Sequence, residues 1–339
     1  MTSLAAGDGE DVIVLSGLDD NALAKKGVLM DLSDIVTPME ENGELLQAIV
    51  DGEKAADGKQ QILPVRFALP LLLSKEKRAS EMTDLAALAK AAEQTDGSLL
   101  GTFTGEDLVE TFAPYFMPDI IKDKQLDTEK LRTVLQELQT IAAHCDMVEK
   151  YKKGERASNE WDLPSAMQAV LCQISGFNDA MFDLAIINLV KGDYTSFENA
   201  YIPTVEIGVN ANTKQADLAK EFAAFVMSRE VQDGDFYDGF PVNKESLHMQ
   251  VSLDRSDYAA YTTIEGADGQ EIGLDIEPIK AADADKLEAL CDSLSKKTVK
   301  DAKVLEELKK SVPDYLLGRQ SLDDTISKIQ DGVKIYLAE

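Results

Sequence analysis

The chain has 339 residues, 44% of them hydrophobic and 28% charged: the composition of a packed globular protein, too long for one ordinary core, so two lobes are expected. Its 34 basic residues are outnumbered by 62 acidic ones, a formal net charge of −28. With no Lys/Arg stripe, such a surface repels phosphate backbones and excludes nucleic acid as a partner.

Asp11–Leu15 carries the run Val-Ile-Val-Leu behind Gly7 and Gly9 and predicts a buried strand. A loop at Ser16–Asp20 and a short helix at Asn21–Lys26, stopped by Gly27, follow; strand, loop and helix start are the unit that forms cleft edges in α/β sheets. Gly52–Gln61 is polar, a turn, and Ile62–Val65 and Leu69–Ser74 are two extended pieces because Pro64 and Pro70 oppose helix. Ile62–Leu73, like the later Ala180–Val190, is too short or too interrupted, by Arg66, Asp183 and Asn188, to span a membrane as a helix.

Thr83 or Asp84 caps a helix with Leu85, Leu88, Ala89 and Ala92 on one face. Thr104–Asp107 has capping-box form ahead of Leu108 and Phe112, and Asp127 or Thr128 opens an amphipathic helix through Leu131, Val134, Leu135, Leu138, Ile141 and Ala142. Residues 150–165 are polar and hold the only tryptophan, Trp161. Val205–Val209 alternates as a strand, and a helix follows with Leu218, Phe222, Phe225 and Val226. Residues 250–285 are acidic and short of apolar periodicity, hence a long connection. Two helices close the chain: one with Val304, Leu305, Leu308 and Val312, ended by Pro313 and Gly318, and one over Ser321–Glu339 with a Ser321–Asp324 capping box. Helices separating a few strands predict an α/β protein rich in helix.

Sequence motifs for catalysis are missing. There is no phosphate loop, and Gly7-Asp8-Gly9 lacks a third glycine and precedes its strand. The acidic run Asp233–Gly239 would place Tyr237 and Lys244 at calcium-ligand positions, where oxygen donors are needed. Cys145, Cys172 and Cys291 are odd in number and far apart, and His144 and His248 are distant from each other. Free thiols, no metal, no cofactor and no enzyme activity are expected.

Four stretches together resemble the extracellular solute-binding protein family of ABC importers that includes maltose-binding protein. They are Leu4–Ile13 with Leu23–Leu32; Ile62–Val65 through Lys75; Gly208–Asn212 with Ala219–Phe222, Ser228–Gln232 and Gly239–Lys244; and the terminal Ser321–Glu339. Glu10 stands where that family has proline, and Leu72, Leu73 and Ser74 replace aromatic and asparagine positions. The resemblance also begins late: members carry a strand, a helix and a second strand, roughly fifty residues, ahead of the point matching Met1, and losing core strands would expose apolar surface.

The resemblance implies a two-lobed, periplasmic-binding-protein-like α/β fold (type II), helix-rich, with an incomplete first lobe as an alternative to a complete one. Residues 1–67 plus 208–250 would form the first lobe and 68–207 plus 280–339 the second, with crossings near 67–70, near 204–208 and within 245–280. It implies a monomer that closes on a small solute, first a mono- or oligosaccharide, and delivers it to ABC permease subunits. Peptide or polyamine is the alternative within the fold; a glycoside-active enzyme and a protein-interaction module are further alternatives. An extracytoplasmic bacterial lipoprotein is implied for the full-length protein, although Met1–Asp11 has no export-signal pattern.

Ligand contacts would come from loops beyond strand ends. Ser16 and Asp19 follow the first strand, Arg66 and Phe67 lie at the first crossing, Tyr201 and Glu206 at the second, Phe240 in the Gly-Phe-Pro-Val segment and Trp161 in the second-lobe loop. Each has a structural alternative: Asp19 as a helix cap, Arg66 in a surface ion pair, Phe67 and Phe240 in the core, Trp161 as a lobe-packing anchor, Glu206 on an exposed strand face.

Overall fold

The computed structural model describes residues 9–15, 23–24, 26–55, 57–122, 124–165, 167–234, 238–252, 260–266 and 269–338. From the N-terminus come β1 (Val12–Val14), α1 (Ser33–Glu41), α2 (Gln47–Gly52) and β2 (Leu63–Ser74). The two extended pieces expected around Pro64 and Pro70 are one twelve-residue strand, buried throughout. Pro64 is tolerated because the register with the neighbouring strand slips between Pro64 and Arg66 and again before Phe67, so no regular ladder donor is required there.

The next elements are α3 (Leu85–Ala92), β3 (Thr102–Thr104), α4 (Gly105–Ile120), β4 (Ile121–Lys122), β5 (Gln125–Leu126), α5 (Thr128–Ala143), β6 (Asp146–Val148), β7 (Ala169–Ile174), α6 (Phe177–Val190), β8 (Asp193–Ser196) and β9 (Ala200–Val209). Asp84, Thr104 and Asp127 each accept a backbone N–H at the starts of α3, α4 and α5, as their spacing predicts. After β9 come α7 (Ala216–Met227), α8 (Arg229–Gln232), β10 (Phe240–Pro241), α9 (Lys244–Ser252), β11 (Ala260–Glu265), β12 (Glu271–Ile276), α10 (Ala281–Asp292), β13 (Lys296–Lys297), α11 (Ala302–Leu316) and α12 (Leu322–Ala338).

Two sequence expectations are corrected. The long connection expected over 250–285 contains the antiparallel β11–β12 hairpin; only Ile264 and Leu274 of its strands are fully buried, so it carries little hydrophobic alternation. Pro313 does not end its helix but lies inside α11, where its ring packs on α4: a Cβ added to Gly105 would sit 2.7 Å from the Pro313 Cβ.

The fold is two-lobed, of the periplasmic-binding-protein-like kind. One core gathers α3, α4, α5, α11 and α12 around Phe112, Leu135, Phe197, Leu308 and Ile329. Another joins β2 and β9 to α1, α2, α6, α7, α9 and α10 through residues such as Leu63, Phe67, Tyr201, Ala223 and Leu287. The seven-stranded sheet has the order β1-β9-β2-β10, with β7 and β8 also on β2 and β13 on β9. β2 pairs with β9 along Leu63–Ala68 and with β7 along Leu69–Ser74. One strand thus serves both halves of the molecule, changing partners at Ala68/Leu69. Among the described residues no helix is long and apolar enough to cross a membrane.

Candidate functional site

The partner change on β2 marks the place where the two halves meet. β7 runs antiparallel to β2 and ends with Ile174 opposite Leu69. After Ser175 and Gly176 the chain starts α6 at Phe177, so the N-terminal turn of a fourteen-residue helix opens at the crossing. That turn carries the positive end of the helix dipole. The Asn178 side-chain oxygen there is buried and has no hydrogen-bond partner among the described residues. One turn along, Phe182 supports Trp161, the ring centroids 4.1 Å apart at an interplanar angle of 40°. Trp161 is held on a short turn by the Asn159 capping box and keeps 37% of its surface exposed.

The second crossing strand supplies a buried charge cluster. Lys297 on β13 donates to Glu206 Oε1 at 2.9 Å and to Glu53, the residue following α2. The Tyr201 hydroxyl donates to the Ile49 carbonyl at 3.2 Å and lies 3.5 Å from Glu53 Oε1. β13 is placed here because Pro118 has no N–H: the Pro114 carbonyl left free inside α4 accepts the Val299 N–H at 3.0 Å. Burial pushes the Glu53 carboxyl up to about 8, outweighing the attraction of Lys297; the ammonium is shared with a second carboxylate, so neither receives its full field. The fit is close, since a Cβ on Gly52 would meet the Tyr201 Oη at 1.9 Å.

On the other edge of β2, Phe240 pairs with Phe67 and Pro241 with Arg66. The two rings pack at 6.0 Å and both are fully buried. Arg66 is buried too: its guanidinium donates to the carbonyls of Gln232, Val231 and Gly234 at 3.2, 3.0 and 3.3 Å, closing the C-terminal end of α8. Gly239, at φ +137°, passes so near that a Cβ would lie 2.9 Å from the Phe67 carbonyl oxygen, leaving room for glycine alone.

The structure therefore divides the eight residues singled out by sequence. Tyr201 and Glu206 meet in the charge cluster, Arg66, Phe67 and Phe240 form a packed group beside it, and Trp161 stacks on Phe182 of α6. Ser16 and Asp19 lie outside the described residues. Glu53, Lys297, Asn178 and Phe182 were missed. Nothing local marks Glu53 or Lys297, because their pairing spans most of the chain, but Ser-Gly after an apolar run is a strand-to-helix turn and could have pointed to Asn178.

Deeper in the same half, Cys172 Sγ donates to Asp183 Oδ2 at 3.1 Å, and burial pushes the Asp183 carboxyl up to about 8. A cavity of about 250 Å³ lies farther along α6, against Leu274 and Asp283, away from the crossing. Among the described residues no cluster of three His, Cys, Asp or Glu side chains could hold a metal.

Residues 1–233 match the family model described as bacterial extracellular solute-binding protein. A search of curated proteins returned no match. Solved structures resemble the fold over nearly the whole chain. A sugar-binding protein MalE from Xanthomonas citri is 14% identical with a TM-score of 0.65, covering 99% of this chain and 86% of that one. A sugar transporter from Rhizobium etli in an open conformation is 14% identical with a TM-score of 0.64, covering 98% and 87%. An ABC transporter solute-binding protein from Thermotoga lettingae, bound with α-D-tagatose, is 13% identical with a TM-score of 0.55, covering 99% and 87%.

Proposed function

The chain belongs to the bacterial extracellular solute-binding protein family, and on that ground we propose that it binds a mono- or oligosaccharide between its lobes outside the cytoplasm and passes it unchanged to an ABC permease. The observation that carries the choice of site is the crossing itself. β2 changes partners at Ala68/Leu69 just where β7 ends and α6 begins, so a ligand there touches both halves. The lobes divide as 1–67 with 208–250 and 68–207 with 280–339, and a ligand with contacts on each side favours the closed form by that difference in affinity alone.

The buried Asn178 oxygen accepts a ligand hydroxyl. Trp161, backed by Phe182, offers a flat face to the C–H side of a sugar ring. Ser16 and Asp19, which lie outside the described residues, stay candidates for first-lobe contacts on the resemblance alone. Arg66, Phe67, Phe240, Tyr201 and Glu206 form the floor and hinge. The solved structures described as sugar-binding support carbohydrate over peptide or polyamine. Tethering of the full-length protein to the membrane and a monomeric state complete the proposal.

Thermal shift against separate sugar, peptide and polyamine panels tests the ligand class. A bound saccharide at a hundred times its Kd adds about 2.7 kcal/mol. A shift confined to peptides or polyamines would refute the carbohydrate reading.

A further inference from the structure

α6 has a second face that the saccharide site leaves unused. Met181, Leu184, Ala185, Asn188 and Leu189 recur at helical spacing on one side of the helix, and they form one wall of the cavity of about 250 Å³. Opposite them stand Gly273, Leu274 and Asp275 of β12, and the segment from Glu277 to Asp283 closes the end. Side chains of a strand alternate between its faces, so three consecutive lining residues mean that the cavity meets β12 along an edge. The hairpin register makes that edge polar. The Gly266 N–H donates to the Gln270 carbonyl at 2.8 Å. Stepping along the ladder in twos makes Ile264–Ile272 and Thr262–Leu274 the hydrogen-bonded pairs. The peptide groups of Gly273 and Asp275 therefore point away from β11, and no described strand pairs with that side.

We propose that this cavity is a second binding site, separate from the saccharide site, for a small primary alkylammonium ion. The apolar body of such a ligand lies on buried Leu184, Ala185 and Leu274, with exposed Leu189 at the mouth. Its ammonium is held by the Gly273 and Asp275 carbonyls of the free edge and by the carboxylates of Asp275 and Asp283. The Tyr194 hydroxyl fixes Asp283 by donating to Oδ1 at 3.1 Å. Among the described residues, Asp283 Oδ2 and the Asp275 carboxylate have no hydrogen-bond partner. Two cations lie nearby, and both are engaged. Lys280 pairs with Glu277 at 3.3 Å, and Lys286 donates to the Tyr194 carbonyl at 2.7 Å while lying over its ring. An anion would meet like charge here. The volume, about 250 Å³, is below the roughly 300–1,000 Å³ of drug-sized sites, which favours a small molecule over a peptide laid along the edge. Neither Trp161 nor Asn178 lines the cavity, so amine and saccharide binding can be tested apart.

Isothermal titration calorimetry with n-butylammonium, and with n-butanol as its neutral counterpart, tests the assignment in the absence of saccharide. One n-butylammonium should bind per chain, with n-butanol about tenfold weaker for want of the charge-assisted hydrogen bonds. Asp275→Asn, a change at an exposed position, should weaken n-butylammonium binding about tenfold. Ala185→Leu should abolish it by filling the cavity, with a melting curve to show that the variant folds. Trp161→Ala should bind n-butylammonium as the unaltered chain does. No saturable n-butylammonium binding, equal affinity for n-butanol, or an Asp275→Asn variant that binds like the unaltered chain overturns the proposal. Binding lost in Trp161→Ala and kept in Asp275→Asn also overturns it and assigns the amine to the cleft between the lobes.

Discussion

Lys297 Nζ lies 2.9 Å from Glu206 Oε1 and also bonds Glu53, so one ammonium ties the strand after α10 to the second crossing strand and to the end of α2. All three side chains are buried or nearly so. Removing one partner of such a cluster costs far more than its net contribution, because the remaining charges stay desolvated. Lys297→Met is expected to destabilise the fold by about 3–5 kcal/mol, read as a lower urea midpoint at unchanged m. Adding Glu53→Gln should recover part of the loss; additive losses would show that the two do not interact.

The same cluster sets a pH dependence. Glu53 is pushed from 4.5 to about 8, so the folded state binds its proton more tightly than the unfolded chain. Its stabilising contribution is complete below about 4.5, declines as pH rises, and is gone above about 8. Asp183, raised to about 8 from 3.8, acts in the same direction. The urea midpoint should fall between pH 5 and 8, roughly the window those values define, and Glu53→Gln and Asp183→Asn should each flatten part of that fall. An unaltered slope in both variants would contradict the assignment.

Arg66 illustrates what sequence could not settle. Its buried guanidinium bonds three carbonyls at the end of α8. Arg66→Met should therefore cost about 3 kcal/mol in chemical denaturation. Arg66→Lys should recover only part, since an ammonium cannot reproduce the planar fork.

Trp161 and Asn178 carry the ligand side of the account. Trp161→Ala should weaken saccharide binding about tenfold, close to 1.4 kcal/mol, while lowering stability by only about 1 kcal/mol through the lost Phe182 stack. Asn178→Leu should weaken binding without lowering Tm in the ligand-free protein, because it removes an acceptor that bonds nothing in the fold. Calorimetric titration and melting curves on the same samples separate the two effects.

Where the signal is local, the sequence was readable. Asp84, Thr104 and Asp127 cap the helices their spacing predicts, and the α5 stripe from Leu131 to Ala142 is buried as a unit. Apolar periodicity marks a helix face but not whether anything covers it, so Leu218, Phe222 and Phe225 were legible as helix and not as surface. The β11–β12 hairpin escaped because its strands bury so few side chains. In the buried charge cluster, Tyr201 and Glu206 were singled out from the crossing strand, while Glu53 and Lys297, brought together only by the tertiary fold, had no local marker.

Equilibrium dialysis of the protein against a mixture of mono- and oligosaccharides, with mass spectrometry of what is retained and then released, tests the central claim most directly. The account predicts one saccharide class held at one per chain, recovered chemically intact, and lost on Trp161→Ala. Retention of no saccharide, or release of a cleaved or otherwise altered one, would contradict it.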